Sequence, residues 1–153
     1  MNRIPAIKEL RDDANFALLI RQIREGQTAL LERELGALGV ELNYSQFLVL
    51  KLLAKYGQQM PGDVARCLDH NAGAMTRLLD RLESKGYLRR RPHAEDRRAL
   101  TVELTEAGHA VWESINRRTD RLQAIAFQDL KESERKQLLD LLRRVRDTLE
   151  KLT

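Results

Sequence analysis

The stretch from Asn71 to Leu104 leaves this chain few ways to fold. Met75, Leu78, Leu79 and Leu82 recur at three- and four-residue spacing, which predicts one buried stripe along a helix. Asn71 precedes that helix as a candidate N-cap, and Gly86 stands where helices commonly end in a left-handed residue. The first turn, Ala72-Gly73-Ala74, is built of small side chains that permit close approach to another surface. The chain then changes period. Tyr87-Leu88-Arg89-Arg90-Arg91 leads out, a charged tip spans Pro92 to Arg98, and Leu100, Val102 and Leu104 alternate as a returning strand does.

Charge follows the same stretch. Residues 71–98 hold eight basic side chains and four acidic ones, an excess of 8 − 4 = +4, which equals the formal net charge of the whole chain. The remaining nineteen basic and nineteen acidic residues balance. The excess therefore sits on one helix and one hairpin, the electrostatic footprint expected for a polyanion.

Upstream, residues 43–53 combine a capping-box pattern, Asn43-x-x-Gln46, with Phe47, Leu48, Leu50, Leu52 and Leu53, apolar nearly all round and so predicted to be central. Gly57 ends that helix, and Pro61 suits the first position of the next, which carries Val64, Ala65 and Leu68. Two short helices, a tight link and the Asn71 helix make a helix-turn-helix pattern, with the hairpin as its wing.

Long amphipathic helices flank this unit. A helix over about 12–35 carries Phe16, Leu19, Ile23 and Leu30 on one stripe, with Asp12 and Asp13 at its positive end. Thr105 caps a second over about 106–127, with Val111, Ile115, Leu122 and Ile125 on one face. A third, started by Lys131 or Ser133, sets Leu138, Leu142, Val145, Leu149 and Leu152 at heptad spacing. One chain of 153 residues has little with which to cover three such helices, so a homodimer is expected, with Phe16, Leu19, Ile23, Leu138, Leu142, Val145 and Leu149 in its interface. An intramolecular bundle is the alternative. The fold class expected is mainly α with a small β-wing: an N-terminal dimerisation helix (12–36), a winged helix-turn-helix part (43–104) and C-terminal dimerisation helices (105–153).

At this point the residues resemble a known family. Leu79-Asp80-Arg81-Leu82-Glu83-Ser84-Lys85-Gly86-Tyr87-Leu88-Arg89-Arg90, then Asp96-Arg97-Arg98, then Val102-Glu103-Leu104-Thr105-Glu106-Ala107-Gly108, is similar to the MarR family of winged-helix transcription regulators. The resemblance implies a homodimer, usually a repressor, with recognition helices in successive major grooves and wings at the flanking minor grooves. It also implies release of DNA by a small, often aromatic and anionic, effector bound between the dimer helices and the DNA-reading part. Met60 and Lys131 stand where the family often has Ser or Thr caps. Redox-sensing members carry a cysteine in the first helix, and this chain has none there.

Site expectations combine both lines. Asn71, Ala72, Gly73, Thr76, Arg77 and Arg81 form the major-groove surface. Thr76 can offer its hydroxyl or its methyl to a base, and Arg77 can grip guanine in bidentate fashion or neutralise a phosphate. Arg81 has three candidate partners: DNA, the acids Asp80 and Glu83, or a ligand carboxylate. On the wing, Arg91, His93 and Arg97 are expected at phosphates. The resemblance gives Arg98 to the minor groove, with Asp96 fixing an arginine rotamer; a solvated turn with a surface ion pair is the alternative. Thr76, Arg81 and Arg90 are the candidate effector pocket.

Other features exclude functions. Cys67 and His70 make a Cys-x-x-His spacing, but no second pair stands near, so no metal is expected and Cys67 reads as a small buried side chain. His109 reads as a polar surface or ligand-pocket residue, Trp112 as a pocket wall or a gap-filler, and Tyr44 and Tyr56 as packed ones. Three scattered histidines and one cysteine supply no nucleophile–base–orienter set, and no glycine-rich phosphate loop is present, so the chain is not an enzyme and needs no cofactor. One cysteine and no long apolar run point to the cytoplasm, not a membrane. The rival readings are a winged-helix module for protein–protein assembly and a constitutive DNA binder without an effector.

Overall fold

The structure is a computed structural model that describes residues 15–93 and 99–152. Six helices and one hairpin follow in order among them: α1 (Phe16–Ala37), α2 (Tyr44–Tyr56), α3 (Pro61–Cys67), α4 (Ala72–Ser84), β1 (Leu88–Pro92), β2 (Leu100–Leu104), α5 (Glu106–Ala126) and α6 (Glu132–Glu150).

Local chemistry sets the helix ends. Asn15 caps α1, accepting the Leu18 N–H at 3.1 Å; Asp12 and Asp13 lie outside the described residues. The Asn43–Gln46 capping box forms in both directions, at 2.9 and 3.1 Å. Gly57, at φ +70°, ends α2. Pro61 begins α3, and Met60 before it contributes no side-chain cap. At α6 a polar cap is replaced by Glu134, whose carboxylate accepts the Lys131 N–H at 2.8 Å. One half of a capping box therefore suffices there.

The core gathers where α2, α4 and the hairpin meet. Val49, Leu50 and Leu53 of α2, Met75, Leu79 and Leu82 of α4, and Leu88 and Val102 of the strands are all buried. Burying such a side chain fully contributes about 1.5–3 kcal/mol, so these few positions fix how α4 is set. Leu31 and Leu35 of α1 and Ile115 of α5 join the same cluster. Trp112 is half-buried and lies against Phe47, with ring centroids 5.9 Å apart.

The hairpin is antiparallel, with Leu88 opposite Leu104 and Pro92 opposite Leu100. A third segment joins it. Gln59 pairs with Val102 through reciprocal backbone bonds of 3.0 and 2.8 Å. Gln58 Nε2 donates to the hydroxyl of Thr101 beside that bridge. The alternation expected of the returning strand is modified as a result. Thr101 is buried beneath this cover, while Leu100, at the outer end, is exposed.

Two expectations are corrected. Cys67 is exposed, because it closes α3 to one side of the stripe that Val64 and Ala65 bury. Tyr56 is also exposed, at the last position of α2, with the Lys55 ammonium 4.9 Å from its ring centre. Tyr44 is half-buried against the core, and His109 is exposed.

The outer helices are barely covered. α6 buries no residue, and only Leu31 and Leu35 of α1 are buried. Phe16, Leu19, Ile23, Leu138, Val145 and Leu149 are exposed in the protomer, and Leu142 is half-buried.

Candidate nucleic-acid interface

α4 is set by its two ends and its apolar stripe. Asn71 Oδ1 accepts the Ala74 N–H at 2.8 Å. At the other end Gly86 N–H bonds to the Glu83 carbonyl at 2.8 Å and Tyr87 N–H to the Leu82 carbonyl at 3.0 Å. With Gly86 at φ +76°, this is the paired-bond ending that a left-handed glycine permits. Thr105 then ties the turn to α5. Its hydroxyl donates to the Gly86 carbonyl at 2.5 Å and accepts the Gly108 N–H at 3.0 Å. Leu-Thr-Glu-Ala-Gly is thus a joint that holds the end of α4, the start of β1 and the start of α5 together.

Burying Met75, Leu78, Leu79 and Leu82 turns the opposite face of α4 outward. Asn71, Ala72, Gly73, Thr76, Arg77 and Arg81 are all exposed on it. The Thr76 hydroxyl donates to the Ala72 carbonyl at 2.9 Å, which commits its proton and leaves the oxygen able to accept. Arg77 and Arg81 form no ion pair with any described residue. They line one shallow polar recess with Ser45, Gln46 and His70. His70 is held there by the Leu68 carbonyl at 2.6 Å and the Ser45 hydroxyl at 3.3 Å from its two ring nitrogens.

The wing root differs. Arg90 turns toward α4, where it bonds to Asp80 at 2.6 Å and to Glu83. Arg89 and Arg91 point to the other side of the strand, and both reach Glu103 of β2, at 2.6 and 2.7 Å. First the hydrogen bond from Arg89, then its charge and that of Arg91, hold the Glu103 carboxyl below its ordinary value against the opposing effect of burial. Three consecutive arginines thus meet three carboxylates. Asp80 and Glu83 sit inside the stretch that shows a positive excess, and Glu103 lies just beyond it. Pairing of β1 with β2 and with α4, which follows from tertiary placement and not from composition, was the missing signal.

The candidate effector trio is not gathered around one cavity. Residues 76 and 81 lie about 140° apart around a helix of 3.6 residues per turn. Arg81 lines the recess beside Arg77, while Arg90 is held by Asp80 and Glu83 on the wing side. A separate cavity of about 260 Å³ lies between α1, α2 and α5, with Leu30, Tyr44, Phe47, Lys51, Asp120 and Leu122 in its wall. No group of three or more His, Cys, Asp or Glu placed to hold a metal occurs among the described residues. No helix among them is long and apolar enough to cross a membrane. Arg91 is exposed and His93 half-buried; Asp96, Arg97 and Arg98 lie outside the described residues.

A helix-turn-helix with an outward cationic helix face, backed by a two-stranded wing, defines a winged-helix protein of the DNA-reading kind. Comparison with known proteins narrows the class. The MarR family model matches residues 42–100. The multiple antibiotic resistance protein MarR of Salmonella typhimurium is 34% identical over 100 residues, 65% of this chain and 68% of that protein. Its Escherichia coli counterpart is 33% identical over 98 residues, 64% of this chain and 67% of that protein. Among solved structures, a mutant of E. coli MarR complexed with operator DNA is 31% identical, covers 84% of this chain and 91% of its own, and superposes with a TM-score of 0.78. A probable transcriptional regulator from Pseudomonas aeruginosa is 25% identical and covers 87% and 98%, with a TM-score of 0.79. The chain belongs to the MarR family. It is a DNA-binding transcriptional regulator and not an enzyme.

Proposed function

We propose that the chain acts in the cytoplasm as a homodimeric repressor of a pseudo-palindromic operator and is released by a small aromatic or anionic effector. One observation carries the DNA half: α4 turns its first turns and two arginines that pair with no described residue, Arg77 and Arg81, away from the core. Asn71, Ala72, Gly73, Thr76, Arg77 and Arg81 face the major groove, with His93, Asp96, Arg97 and Arg98 at the wing, while Arg91 is engaged by Glu103. Two-fold pairing through α1, α5 and α6 would cover the apolar residues left exposed on them, and would set two reading heads about one helical turn, roughly 34 Å, apart.

The effector half is supported by the cavity between α1, α2 and α5. Tyr44 and Phe47 offer ring surfaces and Lys51 one cation, with Asp120 opposing a second negative charge. A ligand there touches both a terminal helix and the first helix of the reading unit. It can shift DNA affinity only by binding unequally to dimer states that differ in the separation of the two reading heads.

The test is titration of duplex DNA that the protein itself selects from a random pool. Tight binding is expected, and Arg77→Ala should lose about 1–3 kcal/mol of it with an unchanged circular dichroism spectrum. Failure of the unmodified protein to bind any duplex would favour a protein–protein module instead. A thermal-shift screen with phenolic carboxylates tests the effector.

A further inference from the structure

Arg89, Arg90 and Arg91 are the densest positive run in the chain, and all three are paired internally. The two sides of the strand are not equivalent. Arg90 is mostly covered, with its side chain 22% exposed, and it braces the wing against α4 through Asp80 and Glu83. Arg89 and Arg91 are half exposed, at 51% and 52%, and only Glu103, itself 24% exposed, holds them.

We propose that Glu103 is a specificity-determining residue: by holding Arg89 and Arg91 across the strand pair, it keeps the wing root from gripping phosphates of any sequence. The inference rests on the DNA-binding reading above. Phosphate contacts supply nearly all of the affinity for random DNA, and each neutralised phosphate steepens the salt dependence by about 0.9. Base contacts from α4 carry the sequence preference. A free arginine pair at the wing root would strengthen random duplex more than operator, because the operator complex is already seated by base contacts from α4, so its gain would fall mostly on the wrong sites. One carboxylate serving two guanidiniums cuts the local charge from +2 to +1 and fixes both side chains on the hairpin face. The register makes this possible, since Glu103 stands directly opposite Arg89 and one step diagonally from Arg91.

The experiment compares the full-length protein with Glu103→Gln, which keeps the shape and removes the charge. Fluorescence anisotropy would follow a duplex selected by the wild type and a scrambled duplex of the same composition, over a salt series. Affinity for the scrambled duplex should rise several-fold near 0.15 M salt, and its log–log salt slope should steepen by about 1 per protomer. The ratio of selected to scrambled affinity should fall. Adding Arg89→Ala and Arg91→Ala to Glu103→Gln should erase the gain, and melting curves would confirm that each variant is folded. Unchanged or weaker scrambled binding by folded Glu103→Gln, while the wild type binds its selected duplex, overturns this role alone. No duplex binding by the wild type overturns the DNA-binding reading with it.

Discussion

A Cβ atom added to Gly108 would stand 2.0 Å from the carbonyl oxygen of Tyr87. That oxygen already accepts the Thr105 N–H at 3.0 Å, so it is fixed in place. The first turn of α5 is therefore pressed onto the exit of α4, and the contact joins the reading unit to the terminal helices. Helix propensity alone favours Ala over Gly by about 1 kcal/mol. Overlap with backbone at this distance outweighs it, since overpacking typically costs about 1–3 kcal/mol and occasionally more. Gly108→Ala should thus lower the urea midpoint, where the same change at Gly26, with open space around it, should not.

Acid should reveal the Glu103 pair. Its folded carboxyl lies below the ordinary value of 4.5, with the Arg89 hydrogen bond as the first cause. A depressed acid stabilises the fold above its unfolded pKa, and the contribution disappears as pH falls through the lower folded value. The stability difference between wild type and Glu103→Gln should stay constant from neutrality down to about pH 5 and shrink only in stronger acid. Urea titrations at several pH values check this.

The apolar rows on α1 and α6 should hold two protomers together. Val145 is exposed in the lone chain and lies on the heptad seam between Leu142 and Leu149. An unpaired buried carboxylate costs several kcal/mol, and each ~1.4 kcal/mol is tenfold in Kd. Val145→Asp should therefore weaken dimerisation by roughly 100-fold or more. Sedimentation velocity over a concentration series would show the monomer.

Residues whose fate depends on neighbours in the chain were legible beforehand. Asn43, Asn71, Thr105 and Gly86 cap or end helices through atoms three or four positions away, and the Met75–Leu82 stripe follows from helical period. What sequence concealed depends on pairing at a distance. Glu103 meets Arg89 and Arg91 only once the hairpin register is set, and Gln58 and Gln59 reach β2 from more than forty residues away. Cys67 misled because its type is usually buried, whereas its place at the end of a seven-residue helix leaves it outside. The expected trio of Thr76, Arg81 and Arg90 joined residues from two sides of α4.

The two ends of the reading surface should respond differently. Arg77→Ala removes a side chain able to meet a base, and should cost more on the selected duplex than on a scrambled one. Arg98→Ala, the residue that the family resemblance gives to the minor groove, should weaken binding with the dimer intact, most of all where the flanking sequence is A·T-rich and its minor groove narrow. Gel-shift titrations on duplexes with altered flanks separate the two.

The most direct measurement is the equilibrium constant for the selected duplex as a function of salt. With about eight phosphates neutralised per dimer, log K should fall linearly with log salt at a slope of roughly −7, and Arg81→Ala should flatten it. A slope near zero, or no duplex binding at low salt, would contradict the account.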